Sequence, residues 1–379
     1  MSPLISNLSR NSWAIRARKT WKNWERLVFG PTVSQTHRSI NRIETRCYRP
    51  DLATRLDWIQ ELYPPVVEDY SCLSRFGPFF NPCKAFDRLT LCQVRDICVD
   101  PKSGLSWIPG GDAIQESVAG GLVRMQIPGF MEHRPLVRAV QGPADGPYLA
   151  MDDLGYFHFV AESLPLVITV LHQMPDVGLL LSSRAGPYVL DALAILEERL
   201  DRKIKVYTHD RPLRMPTLLI ARKVDHSGYC RKEFVRTLQA TLARPLTPDG
   251  PPGESIWVGR RRNEKRSSDD TARVDKLTAD CGWTVLYLQD LSFRQQIQRL
   301  MNARRLGGTH GAGLVNMVWC HHLEQVTEIH LPGYFNDCYA RLAVNCGAVY
   351  RPFLPENLGS PGPLTRQNLD TIEAMLKSR

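Results

Sequence analysis

The chain lacks several features that would assign it at once to a class of proteins. No segment of its 379 residues approaches the roughly 18 uninterrupted apolar residues that span a bilayer, and its first residues lack the apolar core of a signal peptide. Its ten cysteines form no C-x-x-C pair, and scattered thiols of this kind are typical of a reducing compartment. We therefore expect a cytoplasmic protein that is neither exported through a signal peptide nor integral to a membrane.

Two catalytic or cofactor motifs are also missing. The sequence contains no G-x-S-x-G, the nucleophile elbow that esterases require. It also contains no G-x-G-x-x-G, the fingerprint of dinucleotide-binding folds. These absences exclude two familiar interpretations of the glycine-rich turn that the chain does contain.

That turn runs from Gly307 to Gly313 and holds four glycines around one ionisable side chain, His310. Leu306 ends a strand-like run before it, and residues 314–318 have the pattern of a first helical turn after it. A strand, a glycine turn and a helix leave backbone N–H groups directed at one point, which is typical of an anion site. Similar turns occur in α/β proteins that bind nothing there, so the turn alone leaves both interpretations open.

Strand-like and helix-like patterns alternate on both sides of a Pro/Gly-rich break at residues 244–253. This alternation predicts an α/β protein with two parallel-sheet domains, residues 46–243 and 254–352, after an arm at 1–45 and before a tail at 353–379 that we expect to return to the first domain. The predicted elements are strands 93–99, 179–182 and 204–207 with helix 187–199, then strands 255–258, 284–287 and 325–331 with helices 270–281 and 293–302.

Positive charge is concentrated in the arm. The formal net charge is +9, and residues 1–45 hold eight Arg or Lys against two Glu. Trp13, Trp21 and Trp24 are interleaved with these charges and fall near one face of a helix. Two interpretations are open: peripheral contact of residues 10–28 with the inner face of an anionic membrane, or an arm whose tryptophans pack on the protein's own core. The rest of the chain carries too little excess charge for a nucleic-acid-binding face, so we expect no nucleic-acid partner.

Two further groups of residues have side chains suited to ligand binding or catalysis. Arg260 and Arg261 follow directly after the first strand of the second domain, where planar guanidinium groups suit phosphate oxygens. His158 and Glu162 are four residues apart and share one face of a helix, so they can form a general base or simply pair with each other.

Taken together, these segments resemble glycosyltransferase family 61 over roughly residues 90–352. Each stretch is weak alone, but their ordered combination is specific. The matching stretches are Gly155–Phe159 with Glu162 and Pro165, Val258–Arg261, Gln289–Gln296, His310–Asn316, Val326–Ile329, and Tyr339–Ala343 with Gly347. The chain departs from the family pattern in Gly259, where serine is common, and in His321 and His322, where proline and glycine are usual.

The resemblance implies a GT-B architecture, two Rossmann-like domains facing across a cleft, with a nucleotide-sugar donor on the second domain. It also implies inversion at the transferred sugar, no cofactor and no essential metal. The sequence agrees on the metal, since it lacks the D-x-D that chelates Mn²⁺ in the other main glycosyltransferase fold.

On the donor side, the resemblance implies that the departing diphosphate is held by basic side chains and by the amides of the turn. Glu328 is expected to hold the ribose hydroxyls, and Asn316 to brace the turn or contact the nucleotide. Arg261 is also expected to bind the donor. The expected diphosphate ligands are Arg260, His310, Gly311, Ala312 and Gly313.

On the acceptor side, Glu162, His158 or Asp153 is expected to take the proton of the attacking hydroxyl. The acceptor is expected to be a glycan or a lipid-linked glycan of surface polysaccharide biosynthesis, and the enzyme a hexosyl- or pentosyltransferase. The alternative is a non-catalytic protein of the same architecture that binds a nucleotide sugar without transferring it.

Overall fold

The structure is a computed structural model that describes residues 40–41, 54–110, 113–114, 117, 139–151, 155–221, 228–261, 268–356, 358 and 362–378. The basic segment at 10–28 and Asp153 lie outside these ranges, and the predictions about them stay predictions. No helix within the described ranges is long and apolar enough to cross a membrane.

The first half of the chain forms a ten-stranded sheet and a separate two-stranded ribbon, β3 with β4. In chain order the strands are β1 (Ile40–Asn41), β2 (Leu56–Tyr63), β3 (Val66–Asp69), β4 (Cys83–Phe86), β5 (Leu89–Val99), β6 (Ser106–Trp107), β7 (Ala113–Ile114), β8 (Val140–Gln141), β9 (Tyr148–Ala150), β10 (Gly178–Leu181), β11 (Val206–Thr208) and β12 (Leu213–Ala221).

This first sheet is mixed, which corrects the prediction of a parallel sheet. Its order is β1-β7-β6-β5-β12-β9-β10-β11, with β2 also on β5 and β8 also on β12. Parallel pairing links β12 to β9, β9 to β10, and β10 to β11, whereas the long β5 runs antiparallel to both β2 and β12. The sequence pattern identifies buried strands, but it does not show whether a strand pairs parallel or antiparallel with a segment far away in the chain.

The second sheet is parallel throughout, as predicted. Its order is β14-β13-β15-β16-β17, which is 2-1-3-4-5 counted from its first strand. The strands are β13 (Glu254–Val258), β14 (Thr284–Leu286), β15 (Ala303–Thr309), β16 (Gln325–Ile329) and β17 (Val349–Phe353). β15 continues three residues past the predicted end at Leu306 because β13 and β16 pair with Gly307 and Gly308 from both sides.

The helices cover the sheets, and three of them lie where the sequence predicts a helix, at 187–199, 270–281 and 293–302. They are α1 (Leu164–Gln173), α2 (Pro187–Leu200), α3 (Lys232–Leu238), α4 (Asp269–Asp280), α5 (Phe293–Leu300), α6 (Cys338–Asn345) and α7 (Arg366–Lys377), with 3₁₀ helices Ser71–Phe76, Leu288–Asp290 and Ala312–Trp319, a helical turn Tyr156–His158, and π-helical turns Phe159–Ser163 and Gln239–Ala243. Ser268, Ser292 and Thr365 begin α4, α5 and α7 with reciprocal capping boxes, which satisfy backbone N–H groups of each first turn.

The two halves share one apolar core. Phe159 of the first half lies 6.3 Å from Phe293 of α5, and Phe293 lies 5.6 Å from Trp319, measured between ring centroids. All three side chains are at most 1% exposed, and burial of such a side chain stabilises a fold by about 1.5–3 kcal/mol. This core fixes the carboxyl end of the second sheet against the helical turn at Tyr156–His158.

The C-terminal tail packs on the second half of the chain. The indole Nε1 of Trp283 donates to the carbonyl of Leu376 at 3.3 Å, and Ile372 and Leu376 join the core cluster of Trp257 and Val274. The prediction that residues 353–379 return to the first domain is therefore wrong, because the apolar face of α7 covers α4.

Candidate active site

A cleft of about 860 Å³ opens between the two halves of the molecule. Pockets that hold small ligands and cofactors have volumes of about 300–1,000 Å³, so the cleft can accommodate a nucleotide sugar. The first half contributes the helical turn Gly155–His158, the start of α2 and Gly228. The second half contributes the ends of β13 and β15, the turn at 309–314, the start of α5 and the segment before α6.

The cleft lies at the topological switch point of the second sheet. From β13 the chain goes first to β14 on one side and then to β15 on the other, so the connections diverge between β13 and β15. Ligands of open parallel sheets bind beyond the carboxyl ends of the strands at such a point. Arg260 follows the end of β13 and His310 follows the end of β15, which places both at this crevice.

Arg260 bridges the two strand ends. Its backbone N–H donates to Asp275 Oδ2 at 3.0 Å, and its Nη2 donates to the carbonyl oxygen of His310 at 3.0 Å. Gly311 makes room for this guanidinium, because a Cβ at position 311 would collide with it. Close approach, and not an unusual backbone angle, is thus what requires glycine here, since Gly311 has extended backbone.

Arg261 lies elsewhere, contrary to the prediction that it binds the donor. Its guanidinium pairs with Asp290 and lies 4.2 Å from the ring centroid of Tyr287. It lines a separate groove beside α4 and does not line the cleft.

The turn after β15 presents the start of a helix to the cleft. The 3₁₀ helix begins at Ala312, and the Leu314 N–H donates to the Gly311 carbonyl at 3.0 Å. The N–H groups that precede this bond lie at the helix N-terminus, where backbone amides favour an anion. Gly311, Ala312 and Gly313 all line the cleft, and their contact with a diphosphate stays a prediction.

His310 is held from behind by a buried carboxylate. Its Nδ1 lies 2.5 Å from Glu328 Oε1, and its own side chain is 8% exposed and lines the cleft. The second carboxylate oxygen of Glu328 accepts from the Tyr350 hydroxyl at 2.6 Å. A histidine with one ring nitrogen on a carboxylate is fixed in orientation, and its other nitrogen then points away from that partner.

Glu328 itself does not reach the cleft. Its side chain is 0% exposed, and its two oxygens are bonded to His310 and Tyr350. The predicted role of Glu328 on the ribose hydroxyls therefore does not fit the structure, because its carboxylate is fully buried behind His310 and does not line the cleft. The residue positions His310 instead.

The surroundings of Glu328 favour the ionised form of its carboxyl group over the protonated form. Burial raises the pKa of this carboxyl, but the charge of His330 and the hydrogen bond from His310 outweigh burial and lower the pKa to about 2, from an ordinary value of 4.5. A depressed carboxyl pKa contributes stability that is complete above the unfolded value and is lost as the pH falls through the folded value.

We therefore expect Glu328→Gln to be less stable than the parent by a margin that depends on pH. The difference in unfolding free energy between the parent and Glu328→Gln should be largest above pH 4.5. This difference should become smaller as the pH falls toward 2, and its total decrease should be at most about 3 kcal/mol. Urea denaturation of both proteins between pH 3 and 6 measures this. Glu324→Gln, at an exposed carboxylate beside Arg304, is the control. A difference between parent and Glu328→Gln that is constant with pH contradicts the prediction.

Asn316 braces the turn, which was one of the two roles predicted for it. It is 0% exposed, its Nδ2 donates to the Gly313 carbonyl at 3.0 Å, and its Oδ1 accepts from Trp319 Nε1 at 2.8 Å. The hydroxyl of Tyr156 lies 2.8 Å from the same Oδ1 and 2.7 Å from Gln296 Oε1. Tyr156 thereby connects the first half of the molecule to the turn.

The second histidine–carboxylate pair lies on the opposite wall. His158 Nδ1 is 2.9 Å from Glu162 Oε1, as their spacing predicts for one helical face. Glu162 also accepts from the Gly228 N–H at 2.8 Å, and its side chain is only 6% exposed. His158 is 27% exposed and lines the cleft, whereas Glu162 lies behind it.

Among the described residues, one cluster has ligand atoms close enough to share a metal ion: His310, Glu328 and His330, within 4.8 Å of one another. Metal–ligand bonds of about 2.0 Å place two ligands of a tetrahedral ion about 3.3 Å apart. The 2.5 Å contact between His310 and Glu328 is shorter than this and fits a direct hydrogen bond.

Several residues of the cleft were not assigned a role by sequence reasoning. Tyr156 and Gln296 lie within stretches that the sequence singles out, but their mutual contact depends on the packing of the two halves. Tyr334 and Tyr339 line the cleft beside His310, at 5.0 and 5.1 Å between ring centroids. Tyr334 follows Pro332 and Gly333 in an irregular segment, where no periodic pattern marks it.

Comparison with known proteins agrees with the sequence motifs. The family model described as Glycosyltransferase 61 matches residues 156–327. The match begins in the helical turn that carries His158 and ends in β16, one residue before Glu328, so it includes parts of both walls of the cleft. It is narrower than the range over which the motifs were recognised. No curated protein matches the chain.

Proposed function

Residues 156–327 belong to glycosyltransferase family 61, and from this premise we propose that the protein is an inverting, metal-independent glycosyltransferase that moves a hexose or pentose from a nucleotide sugar to a glycan or lipid-linked acceptor of surface polysaccharide biosynthesis. One observation supports this more than any other: two histidines, each held by a buried glutamate, line the same cleft from different halves of the molecule.

The donor half would stabilise the leaving group. As the bond between the sugar's C1 and the diphosphate breaks, its electron pair goes to the diphosphate oxygen. Arg260, His310 and the amides at Ala312 and Gly313 lie where this charge develops, and preorganised electrostatic stabilisation is usually the largest catalytic contribution. With these groups in place, no metal is needed to hold the diphosphate.

The acceptor half would activate the nucleophile. The acceptor hydroxyl attacks C1 on the face opposite the diphosphate and transfers its proton to His158. We assign the base to His158 and an orienting role to Glu162, because His158 lines the cleft while Glu162 is held behind it by the Gly228 N–H. Attack opposite the leaving group inverts the configuration at C1.

Incubation with a panel of donors tests this function. We expect one of UDP-glucose, UDP-N-acetylglucosamine, UDP-xylose, GDP-mannose or a CMP-sugar to raise the melting temperature and to be slowly hydrolysed, with ¹H NMR showing inversion in the released sugar. Hydrolysis should persist in EDTA. If no nucleotide sugar binds, the proposed function is wrong, and binding without hydrolysis or transfer favours the non-catalytic alternative.

The charge of the arm, seen in the sequence alone, supports peripheral membrane contact of residues 10–28 at the inner face, which would suit a lipid-linked acceptor. Deletion of residues 1–30 should reduce co-sedimentation with vesicles of phosphatidylcholine and phosphatidylglycerol, and to a lesser degree with phosphatidylcholine alone. Equal co-sedimentation of the full and shortened chains contradicts membrane contact.

A further inference from the structure

Tyr334 presents an aromatic ring in the cleft. It is 44% exposed, one of the few large apolar side chains of the described residues with this much exposure. It lies between the end of β16 and α6, it lines the cleft, and its ring centroid is 5.0 Å from that of His310. An aromatic ring that stays exposed beside a catalytic group is a candidate contact for a ligand with its own apolar face.

The residues directly after Tyr334 hold its segment in place. The next residue, Phe335, packs 5.0 Å from the His330 ring and 5.3 Å from the Phe80 ring. Asp337 binds the guanidinium of Arg341 through two bonds of 2.9 and 2.7 Å. The ring of Tyr334 is therefore mounted on an anchored segment, which lowers the entropy cost of ordering it around a ligand.

A row of rings shows which part of the donor reaches Tyr334. Centroids are 5.1 Å apart from His310 to Tyr339, 5.5 Å from Tyr339 to Phe157, and 5.5 Å from Phe157 to His158. The reacting C1 atom is bonded to the diphosphate beside His310 and is attacked by the hydroxyl beside His158. The transferred sugar must therefore lie along this row, on the side of the cleft that Tyr334 borders.

The nucleoside must then extend the other way. From the switch point, the remaining part of the cleft is lined by Tyr188 and Asp191 of α2 and by Gln289 and Ser292 before α5. This end lies on the side of the sheet that carries β14, away from β16. His158 thus lies at the end of the cleft that holds the transferred sugar, and the nucleoside occupies the opposite end.

We propose that Tyr334 is the stacking platform for the transferred sugar of the donor, and so contributes to selection between nucleotide sugars. The proposal rests on the proposed function. The C–H groups on one face of a pyranose or furanose ring carry slight positive charge and favour the negative face of an aromatic ring. A sugar with an apolar face free of axial hydroxyls is the chemistry that this platform recognises best.

Calorimetric titration with paired ligands tests the platform. The probes are UDP with UDP-glucose, UDP-N-acetylglucosamine and UDP-xylose, and GDP with GDP-mannose. In Tyr334→Ala we expect the Kd of the nucleotide sugar to rise about 3- to 10-fold while the Kd of the free nucleotide changes by less than about twofold. Tyr334→Phe keeps the ring and should retain the affinity of the parent for both ligands.

Phe79→Ala is the matched control. Phe79 is 58% exposed, and its ring lies 5.6 Å from Phe335 on the anchored segment, but it does not line the cleft. It should leave both affinities unchanged. If Tyr334→Ala weakens the binding of nucleotide and nucleotide sugar equally, or changes neither Kd, the proposed stacking role of Tyr334 is wrong. The proposed function is not affected by that result. Failure of the parent protein to bind any nucleotide sugar overturns the proposed function itself, and the platform with it.

Discussion

Replacing His158 with alanine is expected to lower the rate of sugar transfer by about 100- to 10,000-fold, the range that a positioned general base contributes. The affinity for the donor should change by less than about twofold, because His158 lies on the acceptor wall and binds no phosphate. A single-turnover assay together with calorimetric titration of the donor separates the two quantities. A loss that appears only as weaker donor binding contradicts the assignment.

Glu162→Gln is the matched variant for this experiment. Glutamine keeps an oxygen for the Gly228 N–H and for His158 Nδ1, but it removes the negative charge that orients and stabilises a protonated His158. We expect a smaller loss of transfer than in His158→Ala, with donor affinity intact. If Glu162→Gln abolishes transfer while His158→Ala retains it, Glu162 is the base and His158 its partner.

Removal of the Arg260 guanidinium or of the His310 ring is expected to lower the rate of transfer by about 100- to 1,000-fold each, since each would stabilise the leaving diphosphate. Binding of the free nucleoside diphosphate should weaken as well. Arg261→Ala is the control, because Arg261 has the same charge one residue later but pairs with Asp290 and stacks over Tyr287. Equal losses in Arg260→Ala and Arg261→Ala contradict the assignment of the diphosphate to the switch point.

The variant Gly311→Ala tests independently whether Arg260 binds the diphosphate. The added methyl group would collide with the end of the Arg260 side chain, which is flexible and can move aside. We expect this variant to fold, with a melting temperature close to that of the parent, but to bind the nucleoside diphosphate as weakly as Arg260→Ala. If Gly311→Ala binds the nucleoside diphosphate as tightly as the parent, the contact of Arg260 with the His310 carbonyl is not needed for diphosphate binding.

The second sheet could be predicted from the sequence because its signals are local. Apolar runs and helical periodicity identify β13 to β16, α4 and α5 within a few residues, whereas β17 and α6 are not among the predicted elements. The spacing of His158 and Glu162 likewise indicates one helical face. The first sheet could not be predicted in the same way, since the antiparallel pairing of β5 with β12 joins segments more than a hundred residues apart.

The roles of single side chains in the site depend on contacts that no local pattern contains. Glu328 is unavailable to a ligand because its carboxylate is fully buried between His310 and Tyr350 and does not line the cleft. Arg260 and Arg261 are adjacent in sequence, yet only Arg260 lines the cleft, because neighbouring residues at a strand end project in different directions. The motifs indicate where the proposed site lies, whereas packing decides which residue of each motif lines the cleft.

A crystal structure of the protein with the nucleoside diphosphate that binds it best shows where the donor lies. We expect a diphosphate at the switch point, with its terminal phosphate on the Arg260 guanidinium and the N–H groups at the start of the Ala312–Trp319 helix, beside His310. The nucleoside should extend toward Tyr188 and leave the space between His158 and Tyr334 for a sugar. A nucleotide that binds outside this cleft, or whose phosphates contact neither Arg260 nor His310, means that the cleft is not the donor site proposed for it.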